Sequence, residues 1–124
     1  MLRTITGGVQ KSIKFVDLCI EEKADLALVW KYPLTLNFPR GVKIPTFEYM
    51  GEEPLVVILG EAIKMLNPKK IFIYANLPFE GEKKPETEQL LREIHDYALA
   101  HDLDVIITLQ TERTDPVALN HVEF

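Results

Sequence analysis

Thr4-Ile5-Thr6-Gly7-Gly8-Val9-Gln10-Lys11-Ser12 joins a short apolar lead-in to a glycine pair and then to the start of an amphipathic helix. A glycine pair marks a turn. Before it, Leu2 to Thr6 suits a short strand. After it, Val9, Ile13, Val16 and Ile20 fall at helical steps, and Phe15 and Cys19 widen the stripe. Steps of three and four predict a helix over about 9–24 with one broad buried face. Strand, turn and helix in this order set the grammar for the remaining chain.

Asp25 to Trp30 is short, apolar and continuous, the pattern of a strand covered on both faces. Residues 31–54 are punctuated by Pro33, Pro39, Pro45 and Pro54, with Gly41 and Gly51 between. They read as a long irregular excursion with an edge strand near Thr46 to Met50; loops of this length are commonly lids or binding surfaces. Leu55 to Asn67 fits two patterns. Val56 to Leu59 alone suits a strand, but the longer pattern to Leu66 suits a helix better, with Pro54 at its first position. Lys70 to Ala75 is a strand, and Asn76 to Lys84 a loop. Pro85 to Asp102 is the clearest helix, with a predicted stripe of Leu90, Leu91, Ile94, Tyr97, Ala98 and His101. Asp104 to Gln110 is a further strand, Thr111 to Asp115 is polar, and Pro116 to His121 suits a final helical turn.

Strands separated by helices cannot pair as hairpins, so they should lie parallel with right-handed crossovers. The expectation is a single α/β domain spanning residues 1–124, a three-layer αβα fold, RecA-like or flavodoxin-like. Its sheet would have four to five mainly parallel strands. Ligands in such folds sit beyond the carboxyl ends of the strands. Those ends are Thr6 to Gly8, Trp30-Lys31, Ala75-Asn76 and Gln110 to Arg113.

Composition bounds the function. The chain has 124 residues, 47% hydrophobic and 27% charged, which suits an ordinary globular domain. A net charge of -5 opposes broad nucleic-acid binding, which needs clustered Lys and Arg. No apolar run is long enough to span a membrane, and no signal-peptide pattern is visible, so a cytoplasmic setting is expected. The single Cys19 cannot pair within the chain and reads as a buried structural thiol.

The opening stretch also resembles a phosphate-binding loop. That motif, G-x-x-x-x-G-K-[ST], wants glycines where the chain has Ile5 and Gln10. Gly7 and Gly8 would let backbone N–H groups approach a phosphate, Lys11 could reach its oxygens, and Ser12 could touch a metal. The plain alternative is a glycine turn before a helix. The succession of elements from 4 to 121 resembles the core of the RecA, RadA and KaiC-type P-loop ATPases. That resemblance implies nucleotide binding, ATP or another nucleotide with Mg²⁺, and assigns Gln110 as a sensor of the terminal phosphate. The family's metal-associated Asp would end the Ile71 to Ala75 strand, and its water-activating Glu the preceding one. The chain has Ala75-Asn76 and Trp30-Lys31 there, so the implied relative is non-hydrolysing and has no catalytic residue to name.

Other chemistry is weaker in the sequence. His95-Asp96 and His101-Asp102 echo metal phosphohydrolase pairs, but a spacing of six places the imidazoles on different helix faces. No metal site is expected. Trp30, Tyr32, Phe38, Phe47 and Tyr49 concentrate aromatic area on or beside the excursion, as an interface or as packing. A free sheet edge favours a homo-oligomer or a protein partner. Three functions follow: a non-catalytic or weakly nucleotide-binding protein acting through self-association or a partner, an ATPase completed by a neighbouring subunit, or a small-molecule hydrolase at the strand ends.

Overall fold

A computed structural model of the chain describes residues 1–5, 11–32 and 34–110; the side chains of Lys11 and Ser12 are outside that description. Five strands and three helices follow one another in it: β1 (Leu2–Ile5), α1 (Lys11–Glu21), β2 (Leu26–Trp30), β3 (Thr46–Tyr49), α2 (Leu55–Leu66), β4 (Lys70–Ala75), α3 (Lys84–Ala100) and β5 (Asp104–Thr108). All pair in parallel as one sheet in the order β1-β5-β4-β2-β3. The expected α/β architecture with helices on both faces is therefore present.

The period of two along each strand divides the core between the faces. Leu26, Leu28, Ile71, Ile73, Val105 and Ile107 point to α2 and α3. Ala27, Val29, Phe72, Tyr74 and Ile106 point to α1. All residues of β2 are buried, as its unbroken apolar run requires. β3 alternates exposed and half-buried residues, which fits its place at an edge.

Direction and face change together. The steps β1 to β2 and β2 to β3 run one way across the sheet, and α1 and residues Tyr32, Leu34, Leu36, Phe38 and Ile44 cover that face. The steps β3 to β4 and β4 to β5 run the other way, over the face covered by α2 and α3. Reversing both keeps one hand throughout. The connection over 31–45 thus does the covering that a crossover helix would otherwise do.

Several boundaries and faces differ from the sequence expectation. In α1, Phe15 and Cys19 are fully buried, whereas Ile13 is 58% exposed. The stripe was wide enough for its centre to lie on either side, and the sheet selects the Phe15 side, where Phe15 meets Tyr74 edge-on at 5.4 Å. α2 is a helix throughout, with Pro54 at its N-cap rather than its first position and Asn67 closing it in the left-handed conformation (φ 48°). A short 3-10 turn, Gly81–Lys83, leads into α3. His101 lies outside the buried stripe of α3, stacked on Tyr97 with centroids 4.2 Å apart. Thr87 takes a buried place instead. The polar segment and helical turn expected over 111–121 lie outside the described residues.

Ion pairs and caps tie the amino ends of the strands. Arg3 Nη1 and Nη2 donate to the two Glu22 carboxylate oxygens at 2.9 and 2.6 Å, and Nη2 reaches Asp104 at 3.3 Å. Asp25 Oδ2 accepts the backbone N–H groups of Lys69 and Lys70, both at 2.9 Å, fixing the entry to β4.

Candidate functional site

β2 and β4 are hydrogen-bonded neighbours, with Trp30 beside Ala75. Their carboxyl ends send the chain to opposite faces. From Trp30 it turns through Lys31, at φ 53°, toward the α1 face. From Ala75 it runs through Asn76 to α3 on the other face. Diverging exits between adjacent strands open a crevice, and this is where α/β sheets hold ligands.

A cavity of about 310 Å³ occupies that crevice. β2 contributes Trp30 and Lys31; the β4 exit contributes Asn76, Leu77 and Pro78. Lys83 at the end of the 3-10 turn and Glu86, Thr87 and Leu90 in the first turns of α3 close it. The volume stands at the lower end of the range for small-molecule sites, about 300–1,000 Å³. Its back wall is pinned: Gln110 N–H donates to the Leu77 carbonyl at 2.7 Å, and Phe79 N–H donates to the Gln110 carbonyl at 2.9 Å. Pro78 and Gln110 form a parallel bridge beyond the ends of β4 and β5.

The cavity carries polar groups of distinct kinds. Trp30 is 8% exposed, and its indole N–H is buried without an acceptor among the described residues. Lys31 Nζ stands 5.0 Å from the Trp30 ring and 3.7 Å from Glu52. Thr87 is 4% exposed. Leu77, Pro78 and Leu90 supply the apolar surface.

Gln110 stands beside the carboxyl end of β1. β1 pairs with β5, and Leu109 N–H donates to the Ile5 carbonyl at 2.9 Å, so Gln110 follows at the strand end where the chain leaves β1. Its backbone holds the 77–79 segment and its side chain is exposed. Gly7, Gly8 and the side chains of Lys11 and Ser12 lie outside the described residues.

The five aromatic residues do not share one surface. Trp30, Phe47 and Tyr49 belong with the α2/α3 face, and Tyr32 and Phe38 with the α1 face. Tyr32 packs edge-on against Tyr74 at 5.4 Å, and Phe47 against Tyr49 at 6.4 Å. A second cavity, of about 290 Å³, lies between α1 and residues 34–39, lined by Ile13, Val16, Asp17 and Leu36 among others. Among the described residues, no group of three or more His, Cys, Asp or Glu is arranged to hold a metal, and no helix is long and apolar enough to cross a membrane.

Cys19 is buried, and its burial pushes the thiol up to about 12. A thiol held protonated is a poor nucleophile. Lys31, Asn76 and Thr87 escaped the sequence reading because they are ordinary residues singly. The detectable signal was positional: two already lay at strand ends, and Thr87 was a polar residue one turn before Leu91 on the stripe. Compared by sequence, the chain matches no protein-family model and no curated protein.

Proposed function

We propose that the chain is a non-hydrolysing, weakly nucleotide-binding α/β domain, resembling a degenerate RecA-like core, that acts through self-association or a protein partner. One observation carries this reading. β1 and β5 are paired neighbours, with Leu109 N–H on the Ile5 carbonyl, so Gln110 stands at the same sheet end from which residues 6–10 depart. A residue that senses a phosphate held by that loop needs this adjacency. The ends of β2 and β4 add support for the non-hydrolysing part. They carry Trp30-Lys31 and Ala75-Asn76, which supply no carboxylate to hold Mg²⁺ or activate water. β3 is an edge strand among the described residues, and an edge strand can pair with a second chain.

The test is a melting curve with millimolar ATP or GTP and Mg²⁺, because a ligand of the native state raises Tm by mass action. The expected result is a small rise that Lys11→Ala abolishes, without phosphate release over hours. No rise with either nucleotide rejects the binding reading. Solution sizing over a range of concentrations tests association, and a monomer throughout rejects self-association.

A further inference from the structure

We draw no further inference here: the strongest candidate, the surface patch at the β3 edge of the sheet, where Phe47 and Tyr49 are half-buried and Met50 is exposed just after the strand, carries nothing because nothing in the structure shows what covers it.

Discussion

Thr108 and Ala75 are joined twice: the Ala75 N–H donates to Thr108 Oγ1 at 2.7 Å, and the same hydroxyl donates to the Ala75 carbonyl at 2.7 Å. The β4–β5 ladder is paired through Ile73 and Ile107, and one side chain continues it where the strands separate toward the cleft. Thr108 is fully buried, so no water replaces it. Thr108→Val keeps the shape but orphans two backbone groups, and should cost about 2–4 kcal/mol in urea unfolding. Thr108→Ser retains the hydroxyl and should cost only about 1 kcal/mol for the lost methyl. Equal losses in the two variants would show that the hydroxyl does not matter.

Gly60 lies inside α2, where glycine weakens a helix. A Cβ there would stand 3.5 Å from Tyr97 Oη, an ordinary contact with the neighbouring helix. Gly60→Ala should therefore stabilise the protein by about 0.5–1 kcal/mol. A thermal melt reads this as a rise of a few degrees; a fall would mean that α2 and α3 cannot accept even that methyl group.

Cys19 should resist a thiol reagent such as DTNB in the native protein and react once urea unfolds it, since its thiol is buried and held protonated. The same shift couples stability to pH. The folded pKa lies near 12, above the ordinary 9.0, so the stabilisation is complete below pH 9 and is lost as pH rises toward 12. This thiol alone should contribute a slope of up to about 1.4 kcal/mol per pH unit in that window. Tyr74 and Tyr49, whose hydroxyls burial also pushes up, add to the loss at still higher pH. Cys19→Ala should flatten the first part of the curve; an unchanged slope between about pH 9 and 10 would discount the thiol.

Arg3 holds Glu22 through two hydrogen bonds and Asp104 through a longer contact, linking β1 to the end of α1 and to β5. These groups keep part of their surface in water, so the pairing is worth little per bond. Glu22→Gln should lower stability by about 0.5–1 kcal/mol at low salt. In about 1 M NaCl most of that difference should vanish, since screening acts on half-exposed charges. A salt-independent loss would assign the effect to packing instead.

The secondary structure was legible because each element is specified by local pattern. The short continuous run Leu26 to Trp30 suited a strand covered on both faces, and Leu55 to Leu66 carried enough helical steps to outweigh its β-branched start. Faces were less legible. Ile13 and His101 satisfied the same periodicity as Phe15 and Thr87, but a stripe more than one residue wide does not state where its centre meets the sheet.

The cleft required more. Trp30, Asn76 and Thr87 lie far apart in sequence and meet because β4 inserts beside β2 while β3 takes the edge. By itself the sequence determined the alternation of strands and helices, and hence a parallel α/β sheet, since periodicity and turn residues act over a few neighbours. Strand order, helix orientation and the meeting of Trp30, Lys31 and Thr87 around one cavity came from tertiary packing. Those depend on packing between segments tens of residues apart, where no local steric preference reaches.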